Sequence, residues 1–157
     1  MKIKLLLCFI VFAIFSCKKN NESTVVDNLP EVGVYANLNG ISYRSLDFNE
    51  ATKVDTILTS IFSYDSIRKI SISISFKNTK VGMNLLGVTS NGAVVKYYNQ
   101  DGSTSNFKAI NGILDITKYD LNYSKLSGKF YFKALNDING DSIIVTDGII
   151  NNVKLTM

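Results

Sequence analysis

The stretch from Asp137 to Asp141 has the side-chain types and spacing of a possible metal loop. It reads Asp-Ile-Asn-Gly-Asp, so oxygen-bearing side chains alternate around Gly140. Carboxylate and amide oxygens placed in this way can wrap Ca²⁺. The bidentate glutamate that closes an EF-hand loop is missing, however, because the chain runs directly into an apolar stretch after Ser142. We therefore predict a hairpin turn rich in Asn and Asp at this position, and no metal site.

Composition excludes several other kinds of site. The sequence has no His and no Trp, and its only cysteines are Cys8 and Cys17. The chain after Cys17 therefore has no Ser-His-Asp or Cys-His nucleophilic site, no imidazole or thiolate zinc site and no internal disulfide. The acidic residues lie mostly beside predicted turns, and no spacing singles out the carboxyl pair that glycoside hydrolysis requires. We predict neither enzymatic activity nor a cofactor.

The N-terminus carries the clearest functional signal. Lys2 and Lys4 precede an unbroken apolar run, Leu5–Phe15. The run suits the hydrophobic region of a signal peptide and is shorter than the ~20 residues of a membrane-spanning helix. It ends in Ile14-Phe15-Ser16-Cys17, which resembles a lipobox: an aliphatic residue, a small residue before the cut, and an obligatory cysteine.

This resemblance implies acylation of Cys17. A diacylglyceryl group would be joined to its sulfur, the chain would be cut after Ser16, and the new terminus would be N-acylated. Two or more acyl chains hold a protein stably on a membrane, whereas one does so only marginally. The alternative is an ordinary secretory signal with a chance cysteine, but Ile14 suits it poorly because the general signal peptidase prefers a small residue there.

Three segments follow from this interpretation: a signal peptide at 1–16, the lipidated cysteine with a flexible tether at 17–31, and an antiparallel β domain at 32–157. The tether is polar, and as a flexible coil it would span on the order of 20 Å. Lys18 and Lys19 come directly after Cys17, and the first acidic residue is Glu22. This order slightly favours a periplasm-facing attachment, preferably to the outer membrane, over surface display.

The folded part is predicted to be nearly neutral and rich in β structure. Without Lys2 and Lys4, 15 basic residues face 13 acidic ones, which argues against binding of nucleic acid. Apolar residues alternate with polar ones over Lys69–Lys77, Lys125–Ala134 and Ile149–Met157, the period of half-buried strands. We expect a single antiparallel β-sandwich, with a partly closed barrel as the alternative; a short helix near Phe48–Lys53 stays open.

Six pairs typical of two-residue turns separate the apolar stretches. They are Asn39-Gly40, Asn91-Gly92, Asp101-Gly102, Asn111-Gly112, Asn139-Gly140 and Asp147-Gly148.

Two further patterns concern sugars. Several tyrosines could line a sugar-binding face, although tyrosine is also an ordinary strand residue; they are Tyr97, Tyr98, Tyr119, Tyr123 and Tyr131. Three tripeptides resemble an Asp-Ser/Thr-aliphatic acceptor for O-glycosylation, or alternatively turns that lead into strands. They are Asp55-Thr56-Ile57, Asp65-Ser66-Ile67 and Asp141-Ser142-Ile143.

Over residues 34–157 the chain resembles a family of small Bacteroidota lipoproteins. The likeness rests on the predicted opening hairpin Val34–Tyr43, the Gly-aromatic-x-aromatic strand Leu126–Ala134, and Ile144–Ile150, where Thr-Asp-Gly precedes the closing strand. The middle, Asp47–Asp65, is longer than the family pattern. The resemblance implies export, a lipid anchor and a sandwich-like β domain, with no activity or site residue to transfer. It therefore leads us to expect a membrane-anchored structural or binding protein, or alternatively a carbohydrate- or small-ligand-binding module for outer-membrane uptake.

Overall fold

The computed structural model describes residues 32–45, 48–54, 57–77 and 80–156, and every regular element within these ranges is a β-strand. The predicted signal peptide, Cys17 and the tether therefore lie outside the described residues. The strands are β1 (Gly33–Leu38), β2 (Ile41–Arg44), β3 (Phe48–Lys53), β4 (Leu58–Asp65), β5 (Ile70–Lys77), β6 (Gly82–Leu86), β7 (Gly92–Tyr98), β8 (Thr104–Asp120), β9 (Lys125–Asn136) and β10 (Ser142–Thr156).

Seven strands close into a barrel in the order β3-β4-β5-β7-β8-β9-β10 and back to β3. Neighbouring strands are antiparallel except β10 and β3, which run parallel with Lys154 opposite Glu50. The β1–β2 hairpin pairs with β10, and β6 pairs with β8. The all-β prediction is confirmed, and the sheet takes the barrel form that was the alternative to the sandwich. The segment for which a short helix stayed open is β3.

Bulges in the long strands curve the sheet. The register shifts between Ala109 and Asn111 in β8, and between Val145 and Gly148 in β10. A bulge bends a strand and increases its twist, which lets three long neighbouring strands wrap far enough for the ring to close.

Two predicted turns are bulges instead. Asn111-Gly112 lies inside β8 and Asp147-Gly148 lies inside β10, so the predicted last hairpin does not form. Asp147 has a positive φ of 52°. Bulges and hairpin turns both favour residues that tolerate a positive φ, so the same residue pairs occur in both. Of the other pairs, Asn91-Gly92 follows a turn at 89–90, and the remaining three lie in turns between strands as predicted.

The barrel interior is filled with apolar side chains. Alternate residues of β5 (Ile70, Ile72, Ile74 and Phe76) are buried, as the period of two predicts. The same holds for β9, from Leu126 to Ala134. In β10 the prediction is wrong at one place: a bulge between Ile150 and Val153 puts both of these residues in the core.

The described residues include no helix with the length and apolar character that crossing a membrane requires.

Candidate functional site

A buried polar cluster joins the β1–β2 hairpin to the barrel. The Tyr43 hydroxyl, at the end of β2, donates a 2.9 Å hydrogen bond to Ser63 Oγ on β4. Ser63 in turn donates to the Ile72 carbonyl on β5, at 3.2 Å. Burial raises the pKa of the Tyr43 phenol well above its usual range, and its hydrogen bond with Ser63 opposes that rise only in part. Tyr43 therefore stays protonated and acts as a donor.

Asp65 forms the second part of this cluster, where β4 turns into β5. Its side chain is only 2% exposed and lies 3.0 Å from the Arg68 guanidinium. The carboxylate also accepts hydrogen bonds from the backbone N–H groups of Ile67, Arg68 and Arg44. Burial works against the charged form, but the bonds from Arg68 and Arg44 outweigh it and lower the pKa of Asp65. The carboxylate is thus held ionised by the partners that shape the turn.

This arrangement fits a structural joint better than a catalytic site. Ser63 has a tyrosine as donor and a carbonyl as acceptor, and neither partner can activate its hydroxyl as a base would. The charge of Asp65 is neutralised by Arg68. The sequence did not signal the cluster because its members come from two hairpins that only the closed barrel brings together.

Removal of the Tyr43 hydroxyl tests the joint. We expect Tyr43→Phe to lower the free energy of unfolding by about 1 kcal/mol, because one buried hydrogen bond is lost while Ser63 keeps its bond to Ile72. Urea denaturation of the purified variant measures this. Tyr123→Phe is the matched control, since Tyr123 is 75% exposed. Equal stability of the two variants would contradict the assigned role.

Asp65 also makes stability depend on pH. Its folded-state pKa lies below the ordinary 3.8, so its contribution is complete above that value and is lost as pH falls through the lower folded-state pKa. We expect Asp65→Asn to cost about 2 kcal/mol near neutral pH and to flatten the acid limb of the stability curve. Urea titrations from pH 7 to strong acid measure both effects.

Asp101→Asn is the control for this titration. Hydrogen bonds from Ser103 also lower the pKa of Asp101, but that carboxyl is fully exposed in the β7–β8 turn. If both substitutions flatten the acid limb equally, the result contradicts the assignment of the acid dependence of stability to the buried carboxylate of Asp65.

The Asp137–Asp141 stretch forms the β9–β10 turn, as predicted. Gly140 N–H donates to the Asn136 carbonyl, and Asp141 N–H donates to Asn139 Oδ1. The Asn139 amide donates to Asp141 Oδ2 at 2.6 Å, and Asp137 is ion-paired with Lys108. The side-chain oxygens thus serve the turn itself. Among the described residues, no three metal-ligating side chains cluster together.

The tyrosines do not share one face. Tyr97 is half-buried against Phe107, and the Tyr119 hydroxyl lies 3.3 Å from Thr59 Oγ1. Tyr123 lies in the β8–β9 turn, and Tyr131 is exposed on the outer side of β9. Tyr98 packs edge-on against Tyr64 on another part of the wall. This dispersal removes the geometric basis for a stacked sugar site.

Two of the three candidate O-glycosylation residues can be located. Ser66 is exposed in the β4–β5 turn, and Ser142 is exposed at the start of β10. Thr56 lies outside the described residues. The Asp before Ser66 is the buried Asp65, whose carboxylate is occupied by Arg68. Modification of these residues stays a prediction.

Two open depressions are lined by described residues of the outer surface. One, of about 560 Å³, is lined by residues that include Val81, Tyr119 and Leu121. The other, of about 350 Å³, lies over the β10 bulge and is lined by residues that include Tyr131 and Gly148. Neither brings together a pair of carboxylates, since each is lined by a single Asp.

Comparison with known proteins gives one match. The family model described as Domain of unknown function (DUF6252) matches residues 31–154. The chain belongs to this family. No curated protein and no solved structure matches the chain. The match thus covers almost all of the β domain, including the β1–β2 and β4–β5 hairpins that form the polar cluster.

Proposed function

We propose that this DUF6252 protein is a lipid-anchored lipoprotein of the bacterial cell envelope, with a non-enzymatic domain in a structural or binding role. The observation that carries the proposal is Ile14-Phe15-Ser16-Cys17 at the end of a short apolar run that follows two lysines. The acyl chains on Cys17 hold the protein on the membrane. The resemblance to small Bacteroidota lipoproteins, which spans the β domain, supports the same placement.

The filled barrel supports a non-enzymatic role. Its core is made of apolar side chains from all seven barrel strands, among them Ala51, Ile61, Ile74, Val95, Leu114, Phe132 and Leu155. Substrate sites are usually concave and hold a few convergent polar groups. In the part of the chain that the structure describes, Tyr43 donates to Ser63, Ser63 donates to the Ile72 carbonyl, and Asp65 is ion-paired with Arg68. These buried polar side chains thus hold the fold together.

The placement of the anchor follows from the residues after Cys17. Lys18 and Lys19 precede the acidic Glu22, which favours a domain that faces the periplasm over surface display. The membrane that we propose for the anchor is the outer one. Fractionation of cells, followed by protease treatment of intact cells, tests this placement. We expect the domain to be found with the outer membrane and to be protected from the protease.

Mass spectrometry of the mature N-terminus tests the anchor itself. We expect a terminal peptide that begins at Cys17 and carries the mass of a diacylglyceryl group and an N-acyl chain. An unmodified N-terminus at any other residue would refute the anchor, while the fold of the β domain would be unaffected.

A further inference from the structure

One end of the barrel combines exposed apolar side chains with lysines. We call it the lysine-rich end and define it by the described loop residues 54, 57, 80, 81 and 121–124. Strands β3, β8 and β10 end here, and strands β4, β6 and β9 begin here. Contacts join the elements at this end: Leu155 N–H on β10 donates to the Ser124 carbonyl, and the hydroxyls of Thr59 on β4 and Tyr119 on β8 lie 3.3 Å apart.

The apolar side chains at this end are large and open to solvent. They come from three separate loops and are between 48% and 75% exposed: Val54, Ile57, Val81, Leu121 and Tyr123. Val81 and Leu121 line the same surface depression, so residues far apart in sequence form a common surface. Single exposed apolar residues are ordinary, whereas a group of them at one place marks an interaction surface.

Lysines surround this apolar group. They are Lys53, Lys77, Lys80, Lys118, Lys125 and Lys154, of which all but the half-buried Lys53 are exposed. The described acidic neighbours are Asp120, 3.8 Å from Lys118, and Glu50, opposite Lys154. At the opposite end of the barrel the exposed turns carry both signs of charge, with Asp101, Asp137 and Asp141 beside Arg68 and Lys69. The lysine-rich end thus has an excess of basic over described acidic side chains, and the opposite end does not.

The position of β1 indicates what covers the lysine-rich end. β1 is antiparallel to β10, with Gly33 opposite Asn151, and β10 continues to Thr156 at the lysine-rich end. β1 therefore begins on the side of that end and runs away from it. Cys17 precedes Gly33 by a tether that spans only on the order of 20 Å, so the anchoring membrane lies within reach of these loops.

We propose that the lysine-rich end docks on an anionic lipid surface, with Leu121 and Tyr123 at the headgroup level. This inference rests on the proposed anchor at Cys17 and adds an orientation to it. Tyrosine suits the membrane interface because its ring is apolar and its hydroxyl is polar. Lysines are attracted to anionic headgroups, and the apolar side chains add burial of their own.

The absence of tryptophan from the chain allows a direct test. Tyr123→Trp introduces a single fluorophore at the lysine-rich end, and Ile138→Trp introduces one at the opposite end, where Ile138 is 90% exposed. The chain purified from cells is mixed with vesicles of phosphatidylcholine and phosphatidylglycerol that contain brominated lipids. We expect a blue shift and quenching of emission for Tyr123→Trp, and neither for Ile138→Trp.

The lysines are tested in the same background. Neutralising Lys77 and Lys80 together should lower the ratio of docked to undocked protein roughly 25-fold, about fivefold for each lysine near an anionic surface. The control replaces Lys129 and Lys133, which are exposed on the outer wall of β9, and should leave quenching much less affected. Vesicles of phosphatidylcholine alone should also reduce quenching.

Flotation of the vesicles separates this inference from the anchor. Protein that floats while Tyr123→Trp remains unquenched overturns docking and leaves the anchor standing. Quenching without stable flotation overturns the anchor and leaves docking standing. Equal quenching at positions 123 and 138 overturns docking, and so does a blue shift that depends on protein concentration instead of lipid, because it would assign this end to a second copy of the chain.

Discussion

Cys17→Ser is expected to leave the chain uncut and without acyl chains. The serine hydroxyl cannot replace the thiol as the acceptor of a diacylglyceryl group, and in the lipobox pathway cleavage after Ser16 depends on that modification. The precursor should therefore keep the apolar run Leu5–Phe15 and migrate above the wild-type protein. Metabolic labelling with palmitate, followed by gel electrophoresis, measures both effects, and we expect complete loss of label.

Cys8→Ser provides the matched control. Cys8 lies inside the apolar run and lacks the small residue and position of a lipobox cysteine, so its replacement should leave labelling and processing unchanged. Palmitate label that survives Cys17→Ser would contradict the assignment of the lipid to Cys17.

The second large effect is expected at Gly148, inside β10. A Cβ at this position would overlap the Phe130 carbonyl oxygen and lie 2.5 Å from Cδ2 of the Phe130 ring. Phe130 is a core residue on β9 and pairs directly with Gly148, so neither strand can give way without disturbing the barrel wall. We expect Gly148→Ala to lower the free energy of unfolding by about 3 kcal/mol, the upper range for overpacking.

Gly92→Ala controls for the loss of a glycine. Gly92 lies at the start of β7, and a Cβ built there meets nothing within 4 Å. We expect the free energy of unfolding of Gly92→Ala to stay within about 0.5 kcal/mol of the wild type, as is usual for substitutions that disturb no packing or backbone strain. Urea denaturation compares the two variants, and an equal loss in both would mean that the close approach at Gly148 carries no special cost.

Much of the β architecture could be predicted from local patterns. A period of two over Ile70–Phe76 and Leu126–Ala134 correctly places one set of side chains inside, because alternation in a strand is a property of each strand alone. The turns at Asn39-Gly40 and Asn139-Gly140 could also be predicted, because a two-residue turn depends on the residues within it. Asn111-Gly112 and Asp147-Gly148 were misread, since a bulge and a hairpin ask for the same backbone angles and differ only in whether the partner strand continues.

The choice between a sandwich and a barrel could not be made locally. The ring closes through β10, which pairs with β9 along one side and with both β1 and β3 along the other. A parallel partner such as β3 leaves no turn signal, because its connection to β10 runs through the rest of the domain. The polar joint of Tyr43, Ser63 and Asp65 likewise exists only once two hairpins meet.

The sequence by itself therefore determined the signals that act through short segments. These are the predicted lipidation of Cys17, the exclusion of histidine and cysteine chemistry from the chain after Cys17, and the β character of the domain. Only the tertiary structure decided that the sheet closes, that two Asx-Gly pairs bend strands instead of ending them, and that lysines and apolar residues from three loops share one end of the barrel. The physical reason is range: a processing signal and a strand period depend on neighbours along the chain, whereas closure and a shared surface depend on residues that only folding brings together.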